Sequence, residues 1–256
     1  FKIITKQEVN IANYPFCTID PNVGVVSVPD ERLDKLSKMS QSAKTIPAVV
    51  EFYDIAGLVK GAHQGEGLGN KFLSHIRGVN AIVMVLRCFQ NNEIAHVENS
   101  IDPIRDLEII NAELALKDLE TIEKVNKKDI NPKDAPIFGR IKERLNKNQL
   151  IFDLAEEPIV KNLQLLTAKK QLYLLNGKEE DVGEELKNKI KELEGDYVQL
   201  SLREGEADEA ISTLVRIAYK ILNLISFFTT GEKESRAWTI GRGSKAPQAA
   251  GVIHTD

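Results

Sequence analysis

Five short apolar runs, interspersed with longer stretches of helical periodicity, constrain the fold of this 256-residue chain more than any other feature. The runs are 23–28 (VGVVSV), 49–53 (VVEFY), 81–86 (AIVMVL), 171–175 (QLYLL) and 197–200 (YVQL). Continuous apolar runs of this length are typical of strands that helices cover on both faces. Helical patterns occur at 69–77, 107–125, 182–193 and 208–224. Strands that alternate with helices predict a three-layer α/β fold with a mainly parallel sheet.

One long helical pattern interrupts this alternation between the third and fourth runs. From Asp106 onward, apolar residues recur at steps of three to five and define one face of a long helix. A polar turn with two prolines follows at 126–136, and a second helical stretch spans 137–154. Together they predict an antiparallel helical hairpin, here called the arm, over residues 106–165. Two ordinary helices that cover the sheet are the alternative.

Charge and cysteine content exclude several classes of function. The net charge of −4 means that the molecule as a whole does not attract nucleic acid, so any RNA contact requires a local basic patch. Cys17 and Cys88 lie far apart in the sequence and have no neighbours at metal-ligand spacing, which excludes a disulfide framework. No apolar run approaches the roughly 18 residues of a membrane span. We therefore expect a cytoplasmic protein without a membrane partner.

The residues after the second apolar run carry the strongest chemical signal. Asp54 ends that run, and Gly57 opens a glycine-rich stretch that continues to residue 69. A carboxylate at the end of a strand is able to hold the water shell of Mg²⁺. A glycine lets its backbone N–H approach a γ-phosphate because it has no Cβ. The pattern predicts a nucleotide switch, and a simple turn is the alternative.

A second loop, at 13–22, precedes the first apolar run. Its Thr18 offers a hydroxyl that is able to bind Mg²⁺ and a backbone N–H that is able to contact a γ-phosphate. This is what the first switch of a nucleotide-binding protein requires. A proline-rich connecting loop explains the same residues equally well.

Several longer motifs now identify a family resemblance. Residues 13–18 (NYPFCT) with 21–26 (PNVGVV) resemble the first switch of Obg-related GTPases. Residues 54–62 (DIAGLVKGA) with 65–70 (GEGLGN) resemble the second switch of the Obg-like ATPases, the YchF branch of the P-loop GTPases. The resemblance is close over about 11–120 and 213–256 and loose between them. Further matching segments are 87–89 (RCF), 102–106 (DPIRD), 111–114 (NAEL), 236–240 (RAWTI) and 246–256 (APQAAGVIHTD).

The resemblance implies a domain organisation and partners. It implies a P-loop NTPase domain of the Obg type at 1–105 and 166–224, the arm at 106–165, and the beginning of a TGS domain, truncated, at 225–256. It also implies ATP as substrate, Mg²⁺ as cofactor, slow hydrolysis, a monomeric state, and contact with the ribosome or RNA through the arm and the TGS region. The TGS region has a local excess of basic residues, namely Lys233, Arg236, Arg242 and Lys245.

The residues after the fourth apolar run indicate whether the protein binds an adenine or a guanine nucleotide. GTPases usually read guanine with Asn-Lys-x-Asp, whose aspartate accepts hydrogen bonds from donors that adenine does not have. Here Asn176 and Glu179 match the Asn-x-x-Glu that accompanies ATP preference in the family. The carboxamide of Asn176 suits the N7 and 6-amino edge of adenine. A polar turn that leads into a helix is the alternative, and Gly177 is smaller than the residue often found there.

The position directly after Asp54-x-x-Gly57, inside the second switch, bears on hydrolysis. Ras-like enzymes place a glutamine there to orient the attacking water. This chain has Leu58, which neither donates nor accepts a hydrogen bond. The resemblance assigns the catalytic role to His96, whose imidazole is able to orient water or stabilise developing charge. A structural role is the alternative for His96, and His63 is the weaker catalytic candidate.

One family motif is missing from this sequence. The phosphate loop, Gly-x-x-x-x-Gly-Lys-Ser/Thr, is expected just before 1–6 (FKIITK), and it occurs nowhere in the chain. The TGS domain of the family also continues beyond the equivalent of 254–256. We expect that these residues are part of a longer protein. An Obg-type GTPase and a non-catalytic ribosome-binding module that truly lacks the phosphate loop are the two alternative functions.

Overall fold

The computed structural model describes residues 22–54, 75–91, 93–94, 96, 100–126, 130–202 and 207–254. Five residues of the predicted site or its surroundings therefore lie outside the described residues: Thr18, Gly57, Leu58, His63 and Cys17. In chain order the described elements are β1 (Asn22–Ser27), α1 (Glu31–Met39), β2 (Thr45–Ile46), β3 (Val49–Asp54), β4 (Ala81–Arg87), α2 (Pro103–Glu123), α3 (Ala135–Asn146), α4 (Pro158–Leu163), β5 (Lys170–Asn176), α5 (Glu184–Glu192), β6 (Asp196–Leu200), α6 (Ala207–Ile221), β7 (Leu224–Thr229), β8 (Ser235–Gly241) and α7 (Ala246–Ile253).

The chain divides into two compact units. The first contains the described residues of Val23–Asp54 and Leu202–Asp256, and the second contains those of Ile55–Ser201. All five predicted apolar runs are strands, and each boundary lies within one residue of the prediction. None of the described helices combines the length and apolarity that a membrane span requires.

The second unit contains a parallel sheet of three strands in the order β4-β5-β6. Its register places Arg87 opposite Asn176, and Asn176 opposite Leu200. The carboxyl ends of the three strands therefore meet at one edge. This sheet confirms the predicted parallel arrangement, and it sets the position of the candidate site because ligands of open α/β sheets bind outside the carboxyl ends of the strands.

The long helix α2 takes part in two separate cores of the second unit. Near its start, Leu107 packs with Leu86 and Tyr173 of the sheet. Farther along, Ile122 packs with Ile141 of α3 in a second cluster that contains no strand residue. The helix begins at Pro103, since Asp102 caps it by accepting a hydrogen bond from the Arg105 N–H at 3.0 Å.

The predicted helix over 137–154 is shorter in the structure. It ends at Asn146, and a separate short turn of 3-10 helix spans Phe152–Leu154. Asn148 has a φ of 53°, a left-handed conformation that typically stops a helix. The Gln149 N–H donates to the Arg144 carbonyl at 3.0 Å and closes that end. The apolar residues that follow are buried outside the helix, so the periodic pattern overestimated its length.

The first unit contains two small sheets. β1 pairs with β3, and the other sheet has the order β2-β8-β7. β7 and β8 are antiparallel, which agrees with the β-rich segment predicted from residue 225 onward. The core between these strands and the helices contains Leu33 of α1, Val215 and Tyr219 of α6, and Ala237 of β8.

Candidate functional site

The described part of the site lies at the carboxyl edge of the β4-β5-β6 sheet. Asn176 is the last residue of β5, the central strand, and it is half-buried. Its carbonyl accepts a hydrogen bond from the Cys88 N–H at 2.9 Å, and the next residue, Gly177, donates to the Leu200 carbonyl at 3.2 Å. Both neighbouring strands therefore fix the backbone that presents the Asn176 carboxamide.

A tight turn follows at once and carries Glu179. The Lys178 N–H donates to Oδ2 of Asp181 at 2.9 Å, and the Asp181 N–H donates back to the Lys178 carbonyl at 3.1 Å. Residues 176–181 are here called the base turn. Glu179 is exposed at its tip, so its carboxylate faces solvent at the sheet edge. The structure thus brings Asn176 and Glu179 together on one short, internally hydrogen-bonded segment.

Gly177 is enclosed at the start of the base turn. A Cβ at this position would lie 3.0 Å from Cβ of Asp181 and 3.1 Å from Cβ of Cys88. Both are tighter than ordinary van der Waals contacts. The absence of a side chain therefore lets the turn close against the end of β4. This accounts for a glycine at a position that is often bulkier in the family that the chain resembles.

Cys88 supports the base turn by packing. Burial, with the negative charge of Asp181 as a smaller contribution, raises the pKa of the Cys88 thiol to about 11. The thiol is therefore neutral at pH 7, and it lacks the thiolate that nucleophilic chemistry requires. Neither Cys88 nor Asp181 was predicted as a site residue, because their role depends on contacts that the sequence does not reveal.

Arg87 organises the loop between β4 and His96. Its guanidinium donates to three backbone carbonyls, those of Phe89 at 3.2 Å, Asn91 at 2.8 Å and Ile94 at 3.0 Å. It also lies 4.8 Å from the centre of the Phe89 ring. A side chain that satisfies three carbonyls of one loop holds that loop against the strand end. Arg87 was predicted only as part of the motif at 87–89, and its contacts with the carbonyls of this loop were not predicted.

His96 is held at the beginning of α2. Its Nε2 lies 2.9 Å from Oδ2 of Asp106, and both side chains are less than one-fifth exposed. The other carboxylate oxygen of Asp106 accepts from Arg105 at 3.2 Å. A carboxylate on one ring nitrogen fixes the orientation of an imidazole. Asp106 is thus a partner of His96 that the sequence motifs did not single out.

Asp54 lies in the first unit. It is the last residue of β3 and is half-buried, as expected of a carboxylate at a strand end. Carboxylate oxygen suits Mg²⁺, which binds through one or two carboxylates and keeps several waters and phosphate oxygens as its other ligands. Asp54 therefore fits a magnesium site of that kind. Among the residues that the structure describes, no three His, Cys, Asp or Glu side chains cluster to hold a metal ion.

Two family models match the chain. One, described as 50S ribosome-binding GTPase, matches residues 1–133. The other, YchF-GTPase_C, described as Protein of unknown function (DUF933), matches residues 224–256. The first covers both predicted switches and the His96 loop, and the second covers the hairpin of β7 and β8.

Similar proteins cover the whole chain. The Ribosome-binding ATPase YchF of Bacillus subtilis (strain 168) is 42% identical over 299 residues, which include 100% of this chain and 81% of the relative. The Ribosome-binding ATPase YchF of Escherichia coli O157:H7 is 40% identical over 293 residues, with the same coverage. Among solved structures, the Schizosaccharomyces pombe YchF GTPase is similar at 38% identity with a TM-score of 0.74, and covers 100% of this chain and 80% of that one. This likeness confirms the predicted P-loop NTPase fold class, whereas the TGS assignment stays a prediction.

Proposed function

The chain belongs to the YchF family, and from this premise we propose that it binds ATP with Mg²⁺, hydrolyses it slowly and couples its nucleotide state to ribosome binding. The names of the relatives support the ATPase activity and the ribosomal partner. The observation that carries the proposal in this chain is the base turn, which presents Asn176 and Glu179 at the carboxyl edge of a parallel sheet.

Adenine recognition follows from the chemistry of the base turn. The Asn176 carboxamide has a donor and an acceptor, which match N7 and the 6-amino group of adenine. Glu179 is one methylene longer than the aspartate that reads guanine in GTPases. Its carboxylate is therefore displaced from the place where guanine N1–H and the 2-amino group need an acceptor. A guanine bound in this site would leave those donors unpaired at a cost in affinity.

The remaining site residues are proposed around the phosphates. Asp54 would hold Mg²⁺ together with the hydroxyl of Thr18, and the Gly57 N–H would donate to the γ-phosphate. The metal ion would neutralise charge on the phosphate oxygens. The half-buried position of Asp54 at the end of β3 supports its part in this arrangement.

For hydrolysis, we assign the proton-transfer role to His96. Leu58 cannot orient water, so a group from another segment must do so. Oδ2 of Asp106 lies 2.9 Å from Nε2 of His96 and holds the ring in one orientation. An imidazole positioned in this way is able to exchange a proton with a water molecule.

The test is a pair of measurements on the full-length protein. His96→Ala is expected to leave ATP affinity near that of the parent, because this residue is not assigned to ground-state binding. Its steady-state phosphate release should fall on the order of a hundredfold or more. His254→Ala is the matched control, since His254 is exposed and belongs to the first unit. Turnover of ATP by His96→Ala at the parental rate would contradict the assignment.

Ribosome contact is proposed through the arm (106–165) and the TGS region (225–256), in a cytoplasmic monomer. In this proposal the NTPase domain comprises 1–105 and 166–224. The helical cluster of α2 and α3 supports the arm as a unit with its own core. The antiparallel hairpin of β7 and β8 supports a β-rich region that begins near residue 225.

A further inference from the structure

Among the described residues, 75–79 come first after the predicted second switch (54–70), and they pack against the long helix α2. Ile76 is buried in a small cluster with Leu114 of α2 and with Leu166, which lies just before β5. All of these residues belong to the second unit. We call the place where residues 75–79, α2 and residues 166–169 meet the switch junction.

Polar side chains add directional contacts to this packing. The Arg77 guanidinium donates to the Thr121 hydroxyl of α2 at 2.7 Å, although the two residues lie 44 positions apart in the sequence. The Thr121 hydroxyl donates its own proton to the Lys117 carbonyl at 3.0 Å, so its oxygen is left to accept from Arg77. The Lys169 ammonium donates to the carbonyls of Arg77 and Val79, at 3.0 and 2.6 Å, which lie at the end of a short helical turn. The segment is therefore tied both to α2 and to the chain before β5.

The other two parts of the switch junction are also bound to each other. Asp118 of α2 is fully buried and accepts hydrogen bonds from the N–H groups of Leu166 and Thr167, both at 2.8 Å. Burial lowers the pKa of Lys169, and the charge of Asp118 acts in the opposite direction. Three chain segments thus form one closely packed region, in which a displacement of one segment is passed to the others because such regions are hardly compressible.

The order of contacts along α2 places the switch junction at the base of the arm. Leu107 packs with the sheet, Leu114 packs at the switch junction, and Ile122 packs with Ile141 of α3 in the core of the arm. Thr121, which accepts from the guanidinium, directly precedes Ile122. The helix rises about 12 Å from Leu114 to Ile122, at 1.5 Å per residue. A displacement of α2 at the switch junction therefore reaches the core of the arm within a single helix.

We propose that the hydrogen bond from Arg77 to Thr121 transmits the nucleotide state from the second switch to the arm. This inference rests on the proposed function, and it names the residues that couple the nucleotide to the ribosome. Apolar packing at Ile76 tolerates small displacements, whereas a hydrogen bond weakens steeply as its angle and distance change. The hydrogen bond is therefore the contact that distinguishes two positions of residues 75–79. Because coupling between two binding sites is reciprocal, a partner bound to the arm also changes the affinity for ATP.

The experiment uses the full-length protein and variants on both sides of the hydrogen bond. Thr121→Val removes the acceptor and keeps the shape of the side chain, Arg77→Met removes the donor, and a double variant removes both. Thr121→Ser keeps the hydroxyl and is expected to behave as the parent. The matched control is Lys189→Met, which breaks the ion pair of Lys189 with Glu108 at 2.8 Å. That ion pair joins α2 to α5 and involves no residue of the switch junction.

Hydrogen exchange with a non-hydrolysable ATP analogue or with ADP bound follows the arm in the absence of ribosomes. Exchange in peptides of α2 and α3 should differ between the two nucleotides by about fivefold or more in the parent, in Thr121→Ser and in the control. The difference should disappear in Thr121→Val and Arg77→Met, and the double variant should lose no more than either, because both changes remove one contact. All variants should still bind ATP, which excludes loss of the fold. An equal response in the parent and Thr121→Val would overturn the proposal, as would a parent whose arm does not respond to the nucleotide.

Cosedimentation with ribosomes separates this inference from the proposed function. The parent should bind ribosomes with an affinity that depends on the nucleotide, whereas Thr121→Val and Arg77→Met should bind them equally with either nucleotide. A parent that does not bind ribosomes would contradict the proposed function, and the exchange measurement would still test the hydrogen bond. If nucleotide-dependent ribosome binding persists in Thr121→Val and Arg77→Met, the proposed function stands and this inference falls.

Discussion

At the scale of single residues, the base turn depends on a position that has no side chain. Gly177 follows the last residue of β5, where the chain turns against the end of β4. The nearest atoms to an added Cβ would be the Cβ atoms of Asp181 and Cys88, at 3.0 and 3.1 Å. These are not the mobile ends of long side chains, so they cannot move aside without moving the backbone.

Gly177→Val is therefore expected to destabilise the protein by about 1–3 kcal/mol, the usual cost of forcing extra atoms into a packed region. It should also weaken ATP binding, because relief of the overlap displaces the base turn. Gly139→Ala is the control. Nothing lies within 4 Å of the Cβ it adds, and alanine at this site in α3 should stabilise by about 0.5–1 kcal/mol. Urea unfolding measures both effects, and a Gly177→Val protein as stable as the parent would contradict the packing argument.

The sequence predicted some of these residues and missed others for physical reasons. Asn176 and Glu179 could be identified because they are separated by a fixed short spacing after an apolar strand. Cys88 and Asp181 could not, because they meet only when β4 and β5 pair. Asp106 lies ten residues from His96, and nothing in that spacing indicates that the two side chains are 2.9 Å apart.

At the scale of elements, one buried carboxylate joins α2 to the segment before β5. Asp118 is fully buried and accepts three hydrogen bonds from that segment: from the N–H of Leu166 and of Thr167, both at 2.8 Å, and from the Thr167 hydroxyl at 2.6 Å. Burial raises the pKa of Asp118, and the three donors act in the opposite direction. The contact links the long helix to the entrance of the central strand.

Asp118→Ala is expected to cost about 3 kcal/mol or more, since it leaves two buried backbone donors and one hydroxyl without an acceptor. Glu123→Ala, an exposed change at the end of the same helix, should remain within about 0.5 kcal/mol of the parent. The free energy of unfolding in urea measures both. A difference of less than about 1 kcal/mol between the two variants would show that this contact is not important for stability.

Strands and helices with a clear apolar pattern in the sequence were predicted, and those with a weak pattern were not. The five strands were predicted well because β-branched and aromatic runs are short and clearly bounded. Helix α1 was not predicted, although Asp30 caps it and accepts a hydrogen bond from the Arg32 N–H at 3.1 Å. This helix has only nine residues, and Leu33 is its buried residue. The sequence therefore has too few apolar positions there to show a helical period. Helix α4 was missed for a related reason, because it has only six residues.

At the scale of the whole molecule, the two units contain different residues of the proposed site. The second unit carries the base turn and the His96 loop, and the first carries Asp54. The resemblance suggested a nucleotide-dependent protein with a ribosomal partner, and the relatives support that view over the full chain.

The choice of nucleotide is the central claim, and calorimetric titration of the full-length protein with ATP and with GTP tests it most directly. We predict tighter binding of ATP by the parent. In Glu179→Asp, which restores the aspartate of guanine-reading proteins, the preference should move toward GTP. Glu180→Asp, an exposed neighbour in the same turn, should leave the preference unchanged. Equal affinity for the two nucleotides in the parent, or tighter binding of GTP, would contradict the account.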